Sequence, residues 1–204
     1  TICAGNVYTM SVSGATSYSV NGLSTSTFTF SPSVGVTNYS VTGTNSVGCS
    51  TSNTAIATIT ANTLPNVTVN SGAICIGAST ILTASSANTF TWNTSATGNT
   101  ISVNPTTQTN YTVTGTATNG CKNTAISTVS VNQLPALSVS NTPSVICTGQ
   151  TATLSVSGAS TYTWSTNETS NSIAVSPTVN TTYTVNGTDA NGCENSSNIT
   201  QTVS

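Results

Sequence analysis

Apolar and small polar side chains alternate along much of the chain, most plainly between residues 151 and 188. Runs such as Leu154-Ser155-Val156 and Tyr162-Thr163-Trp164 place an apolar side chain at every second position. A period of two in short runs rich in β-branched and aromatic residues is typical of half-buried β-strands. The pattern predicts strands at 137–140, 151–157, 161–165, 172–176, 181–188 and 197–203.

Helices are not expected, because no stretch spaces its apolar residues three and four apart, and Ser, Thr and Asn compete with the helix for backbone hydrogen bonds. Polar turn sequences such as Asn191-Gly192 separate the short strands. Six or seven strands per copy predict an all-β sandwich. Its core is expected to contain Leu154, Val156, Tyr162, Trp164, Ile173, Val175, Tyr183 and Val185, with Trp92, Tyr39 and Tyr111 in the cores of the other copies.

The pattern belongs to a unit that recurs every 72 residues, a period that the cysteines show directly. The dipeptides Leu64-Pro65 and Leu134-Pro135 punctuate the repeat, and proline discourages a strand that continues across a boundary. We therefore predict three tandem immunoglobulin-like β-sandwich domains, at 1–63, 64–133 and 134–204. The first copy is expected to be without the strand that precedes the cysteine in the other two.

The chain is nearly uncharged, since its 204 residues include one basic and three acidic side chains and no histidine. Without a basic patch it is not expected to bind nucleic acid, and no apolar run approaches the roughly 20 residues of a membrane helix. Without a general base or a metal-ligand cluster, no catalytic residues, metal or cofactor are expected. The composition argues against an enzyme.

The six cysteines are expected to form structural disulfides, one within each copy, where the two cysteines are 46 residues apart. Such a loop stabilises a domain by about 4 kcal/mol in the chain-entropy model. Disulfides that persist also predict an oxidising, extracellular location. Metal ligation is the weaker alternative, because the thiols are not clustered. The expected pairs are Cys3 with Cys49, Cys75 with Cys121, and Cys147 with Cys193.

Three further features are candidate sites. Asp189 and Glu194 flank Cys193 and could share a calcium ion, although solvated turn residues are the simpler interpretation. The aromatic pair Tyr162 and Trp164 could face a sugar, but its recurrence with substitution by valine in the first copy favours a core. Glycosylation sequons occur at Asn38, Asn66, Asn93, Asn110, Asn167, Asn180, Asn186, Asn195 and Asn198.

Four motifs of the third copy carry a family resemblance: Ile-Cys-x-Gly (146–149), Thr-Tyr-Thr-Trp-Ser (161–165), Ser-Ile-Ala-Val-Ser-Pro-Thr (172–178) and the segment from Thr182 to Cys193 that ends in Asn-Gly-Cys. All three copies resemble the bacterial Ig-like/PKD-like repeats of very large secreted surface proteins of Bacteroidota-type bacteria. The Trp-Asp-Phe-Gly-Asp-Gly segment of true PKD domains does not occur. The resemblance implies stalks, adhesin shafts or spacers and supplies no catalytic residue.

The function predicted from these observations is that of a structural or adhesive segment of an extracellular fibre, sheath or cell-surface stalk. Its expected partners are copies of itself in a filament or other surface proteins, with glycans as a further candidate. The alternative is a spacer or carbohydrate-binding module of a secreted polysaccharide-degrading protein. A threonine-lined ice- or mineral-binding face is less favoured, because the threonines follow every strand rather than one ladder.

Overall fold

The computed structural model describes residues 2–24, 27–49 and 55–204. These residues form strands and turns without a helix, so none of them lies in a helix of the length and hydrophobicity needed to span a membrane. In chain order the strands are β1 Ile2–Cys3, β2 Tyr8–Ser11, β3 Ser17–Val20, β4 Leu23–Ser24, β5 Thr27–Phe30, β6 Gly35–Thr44, β7 Ala55–Asn62, β8 Thr68–Val69, β9 Gly72–Cys75, β10 Thr80–Ser85, β11 Thr89–Trp92, β12 Thr100–Val103, β13 Thr109–Thr116, β14 Lys122–Asn132, β15 Ser138–Thr142, β16 Val145–Ile146, β17 Ala152–Ser157, β18 Thr161–Trp164, β19 Ser172–Val175, β20 Thr181–Thr188 and β21 Glu194–Val203.

The third repeat consists of two sheets, one ordered β15-β17-β19 and the other β16-β21-β20-β18. Neighbouring strands are antiparallel except β16, which runs parallel to the end of β21 and pairs Ile146 with Val203. Alternate side chains of both sheets meet in one core, as the period-two pattern requires. The buried members are Ile146, Ala152, Leu154, Val156, Trp164, Ile173, Val175, Tyr183 and Val185, and Tyr162 packs half-buried against them.

The second repeat has the same two-sheet arrangement, with strands ordered β12-β10-β8 in one sheet and β11-β13-β14-β9 in the other. Its first short strand, β8, is antiparallel to β10, and β9 is parallel to the end of β14. The all-β, immunoglobulin-like sandwich predicted from the alternation is therefore confirmed as the fold of this chain.

The first repeat differs on one side of the sandwich. Its larger sheet is ordered β1-β7-β6-β3-β4 and again begins with a parallel pair, β1 with β7. The smaller sheet contains two strands within the described residues, β2 and β5, which pair antiparallel. Among the described residues this sheet has no counterpart of β8 or β15, and a missing strand in the first copy stays a prediction.

The chain divides into two compact units that do not follow the repeat boundaries. One comprises Thr1–Asn70, Leu82–Ile101 and Tyr111–Ser127, and the other comprises Ser71–Ile81, Ser102–Asn110 and Thr128–Ser204. Residues of the second repeat therefore belong to both units. The three-domain division at 63/64 and 133/134 stays a prediction.

Candidate functional site

The disulfide bridges connect successive repeats. Cys3 bonds to Cys121, and Cys75 bonds to Cys193, each across 118 residues of sequence and with Cα atoms 5.6 Å apart. The predicted pairing within each copy is wrong, and two of the six cysteines predicted to be bridged, Cys49 and Cys147, are free thiols on the surface.

Strand direction explains why a repeat does not close its own bridge. In the third repeat Cys147 follows β16, which lies beside the end of β21, and the N–H of Ser204 donates to the carbonyl of Ile146 at 3.0 Å. Cys193 immediately precedes the start of β21. Ten residues of extended strand span roughly 30 Å, whereas a disulfide requires Cα atoms within about 7 Å. The two cysteines of this repeat are therefore too far apart to bond.

A second contact accompanies each bridge. The side-chain amide of Asn123, two residues after Cys121, donates to the carbonyl of Pro65 at 3.0 Å. Asn195, two residues after Cys193, donates to the carbonyl of Pro135 at 2.9 Å. Both linker prolines are buried. Each linker is thus fixed to the strand that begins beside the bridging cysteine. The disulfide and the asparagine hydrogen bond therefore stabilise the same junction between two repeats.

The free thiols occupy repeat positions that are bridged in the other copies. Cys147 corresponds to Cys3 and Cys75, whereas Cys49 corresponds to Cys121 and Cys193. The bridged members Cys121 and Cys193 are 1% and 0% exposed, but Cys49 lies on the surface. Burial of this turn therefore accompanies its bond to another repeat.

The predicted aromatic core positions are buried to different degrees. Trp92 and Trp164 are 2% and 1% exposed, Tyr111 and Tyr183 are each 8% exposed, and Tyr39 is half-buried. Burial also raises the pKa of the Tyr183 phenol above its ordinary value.

Both indole N–H groups donate within their own turns, Trp92 to the carbonyl of Gly98 and Trp164 to that of Ser170, each at 3.0 Å. Phe90 is buried, and the hydroxyl of Tyr162 donates to the carbonyl of Ala159 at 2.8 Å. These aromatic side chains do not form an exposed platform for a sugar.

Asp189 stabilises a turn. Its carboxylate accepts from the N–H of Cys193 at 2.9 Å and from the N–H of Asn191 at 2.8 Å. These backbone donors, that of Cys193 first, hold the pKa of Asp189 below its ordinary value. Asn45 makes the corresponding bond to Cys49 in the first repeat, at 3.0 Å. The calcium site considered for Asp189 and Glu194 has no group of three metal-ligating side chains to support it in the part of the chain that the structure describes.

The sequons differ in accessibility. The asparagine of eight of them is exposed, whereas Asn195 is half-buried and its amide nitrogen is engaged with Pro135. A glycan on that nitrogen would compete with the linker contact, so Asn195 is the least suitable acceptor. The exposed asparagines are Asn38, Asn66, Asn93, Asn110, Asn167, Asn180, Asn186 and Asn198.

Gln201 is a structural residue that the sequence pattern did not reveal. It is fully buried in the third repeat. Its amide nitrogen donates to the carbonyls of Pro143 and Ser144 at 3.2 Å, and its carbonyl accepts from Asn141 at 2.9 Å. The available signal was a polar residue at an inward-facing position of the last strand, where the second repeat has Val129.

Comparison with known sequences yields no assignment: no protein-family model and no curated protein matches the chain.

Solved structures with a similar arrangement of strands include a 1.5-MDa bacterial ice-binding adhesin, at 18% identity and a TM-score of 0.38 over 98% of this chain and 91% of that one. The N-terminal eight Ig domains of Down syndrome cell adhesion molecule match at 14% identity and a TM-score of 0.39, over 98% of this chain and 33% of that one. SGBP-B of the Bacteroides ovatus mixed-linkage glucan utilization locus, in complex with a mixed-linkage heptasaccharide, matches at 14% identity and a TM-score of 0.26, over 100% of this chain and 65% of that one. Likenesses this weak transfer no function to this chain.

Proposed function

We propose that this chain is a structural and adhesive repeat segment of an extracellular fibre, sheath or cell-surface stalk, in which disulfide-bridged joints resist tension. The observation that carries the proposal is that each bridge closes a loop containing one linker: Pro65 lies between Cys3 and Cys121, and Pro135 lies between Cys75 and Cys193. Two disulfides also favour an oxidising compartment outside the cytoplasm.

The bridges shorten the covalent path along which a pulling force acts. From the first residue the path runs to Cys3, crosses to Cys121, returns to Cys75 and crosses to Cys193 before it reaches the last residue. It contains 59 residue steps, 46 of them between Cys75 and Cys121, instead of the 203 of the open chain. Most of the chain is therefore shielded from extension even after its strands have separated.

Each bridge also opposes unfolding at equilibrium. A closed loop of 118 residues removes enough freedom from the unfolded chain to stabilise the fold by about 5 kcal/mol in the entropy model. This value is comparable to the stability of a whole small domain. The disulfides thus contribute stability to a chain whose nearly uncharged surface supplies few ion pairs.

The positions of the free thiols support end-to-end assembly as part of this proposal. Cys147 of one chain and Cys49 of a second chain occupy the same positions within their repeats as Cys3 and Cys121, respectively. We propose that they form the same bond. With oxidised glutathione as the oxidant, the two protein thiolates become one disulfide and each oxidised glutathione leaves as two reduced molecules. The near-zero net charge gives little repulsion between copies.

Single-molecule stretching from both termini tests the load-bearing role. The intact chain is expected to extend to about 210 Å, and the reduced chain to about 710 Å, at about 3.5 Å per residue. The matched control is Cys75→Ser, which leaves the first bridge and lengthens the path to about 300 Å at the same rise. Equal extension with and without reductant would refute the proposal.

Oxidation tests the assembly. A covalent ladder of multimers is expected on non-reducing gels after treatment of the native chain with oxidised glutathione. Cys49→Ser is expected to stop the ladder at dimers joined through Cys147, whereas the double variant Cys49→Ser/Cys147→Ser is expected to stay monomeric. If the double variant forms the same ladder, the two thiols are not the assembly sites.

A further inference from the structure

The second and third repeats each carry a surface cleft at the same place in the fold. The cleft of the second repeat is lined by 88–91 and 97–99 and has a volume of about 580 Å³. That of the third repeat is lined by 159–163, Thr169 and Asn171 and has a volume of about 650 Å³. Both volumes lie within the roughly 300–1,000 Å³ that is typical of small-molecule sites.

The cleft forms where the chain passes from one sheet to the other. In the second repeat the N–H of Gly98 donates to the edge strand β11 at 3.2 Å, whereas one residue later the carbonyl of Asn99 accepts from the N–H of Ala84, in the other sheet, at 2.7 Å. The third repeat has the same crossing, since the carbonyl of Asn171 accepts from the N–H of Val156 at 2.9 Å. The side of each sandwich is therefore open beside its edge strand.

Four polar side chains of the cleft are identical in the two repeats, although all of them are exposed. Other exposed positions of the same sheet have changed, since Lys122 corresponds to Glu194 and Ile126 corresponds to Asn198. Packing of the core therefore does not account for the four identities. They are Thr89 with Thr161, Thr91 with Thr163, Thr97 with Thr169, and Asn99 with Asn171.

The backbone of the edge strand adds hydrogen-bonding groups to the cleft. In the third repeat the N–H of Trp164 donates to the carbonyl of Glu168 at 2.9 Å, on the side of β18 that faces away from β20. Because backbone groups alternate in direction along a strand, the N–H and C=O of Tyr162, two residues earlier, point to that same side. Tyr162 lines the cleft, so both groups face it.

The chemistry of the lining selects the class of ligand. Every side chain that lines either cleft is uncharged, so an ionic ligand finds no counter-charge there. Threonine hydroxyls and asparagine amides both donate and accept hydrogen bonds, and the hydroxyls of a sugar do the same. An extended peptide fits less well, because strand addition requires a run of edge groups, whereas Ala96 and Gly98 already bond to β11.

We propose that the cleft binds an uncharged saccharide unit, and that the second and third repeats each present one such site to a surface polysaccharide. The threonine hydroxyls and the asparagine amide bond to sugar hydroxyls. The ring of Tyr162, whose own hydroxyl is held by the carbonyl of Ala159, supplies apolar surface. Two sites on one chain bind a polymer more tightly than either site binds one unit. The inference rests on the adhesive part of the proposed function and names its partner.

NMR titration of the full chain tests the site residue by residue. The chain carries Cys49→Ser and Cys147→Ser, which remove both free thiols. The probes are three neutral hexasaccharides, cellohexaose, mannohexaose and N-acetylchitohexaose, with hexagalacturonate as the charged comparison. At least one neutral probe is expected to shift the amide signals of 88–91, 97–99, 160–163 and 169–171, and hexagalacturonate is not. If no neutral probe shifts these signals, or if hexagalacturonate shifts them as strongly, the proposal is wrong.

A pair of variants separates the cleft from the rest of the surface. Thr163→Val/Asn171→Ala is expected to weaken binding in the third repeat at least about tenfold, because two hydrogen-bonding groups are lost, and to leave binding at 88–91 unchanged. The matched control is Thr153→Val, an exposed threonine of the other sheet that the second repeat replaces by Ile81, and it is expected to leave both sites unchanged. Undiminished binding by the cleft variant, or an equal loss in the control, overturns the proposal.

The saccharide site and the load-bearing role fail separately. A chain that extends as expected in the stretching experiment but whose amide signals no neutral probe shifts refutes the saccharide site alone. Saccharide shifts in a chain that extends equally with and without reductant refute the load-bearing role and leave the site in place.

Discussion

Cys147 and Cys193 lie at opposite ends of the last strand, Glu194–Val203, although both belong to the third repeat. The parallel pair of Ile146 with Val203 places Cys147 at the end of that strand, whereas Cys193 stands at its start. A disulfide within the repeat is therefore excluded by distance, and the disulfides join successive repeats instead.

A cut in the linker distinguishes the two pairings. With a specific protease site inserted between Gln133 and Leu134, the cleaved chain is expected to remain one species on a non-reducing gel, because the Cys75–Cys193 bridge spans the cut. Reductant separates the fragments. Cys193→Ser is expected to release them without reductant, whereas Cys147→Ser does not. Release from the unsubstituted chain would mean that the bridges are closed within repeats.

Alkylation without reductant is expected to label two cysteines in the native chain, Cys49 and Cys147, because both thiols are exposed. Peptide mass spectrometry after iodoacetamide treatment identifies them. Cys121 and Cys193, which are bridged and buried, are expected to react after reduction and unfolding. Labelling of Cys3 or Cys75 before reduction contradicts the bridge assignment.

Trp164→Val imposes on the third repeat the residue that the first repeat has at Val20. We expect the free energy of unfolding to fall by about 3 kcal/mol, because a 1% exposed indole leaves a cavity that its neighbours fill only in part. Denaturant titration measures the loss. Tyr162→Phe, which imitates Phe90 and removes one hydroxyl, is expected to cost about 1 kcal/mol. If both variants lose the same free energy of unfolding, burial of the Trp164 indole does not contribute the stability expected of it.

Asp189 is expected to make the stability of the third repeat depend on pH. Because its pKa is lower in the folded chain than in the unfolded one, ionisation stabilises the fold above the unfolded pKa, and this contribution is lost as the pH falls through the folded pKa. Thermal unfolding midpoints from pH 6 down to about pH 2 measure the effect. Asp189→Asn keeps the oxygen acceptor, as Asn45 does, and is expected to decline less steeply. If the unfolding midpoints of the native chain and of Asp189→Asn fall in parallel with pH, Asp189 is not the source of this pH dependence.

Local chemistry made the strands predictable. The predicted segments 161–165, 172–176 and 181–188 agree within one residue with Thr161–Trp164, Ser172–Val175 and Thr181–Thr188, because alternation depends on neighbours along the chain. The two-residue strand Val145–Ile146 went unrecognised, since so short a segment carries no period and is defined by its pairing with Val203.

The sequence by itself determined the 72-residue repeat, the all-β sandwich and the alternating core, since each of these follows from which side chains avoid water and at what spacing. Only the tertiary structure decided which cysteines meet and that Gln201 is buried with its partners Asn141, Pro143 and Ser144. Residues close in sequence can lie at opposite ends of a strand, and residues 118 apart can touch. Distance in space depends on strand direction and packing, which no local pattern of apolar and polar residues encodes.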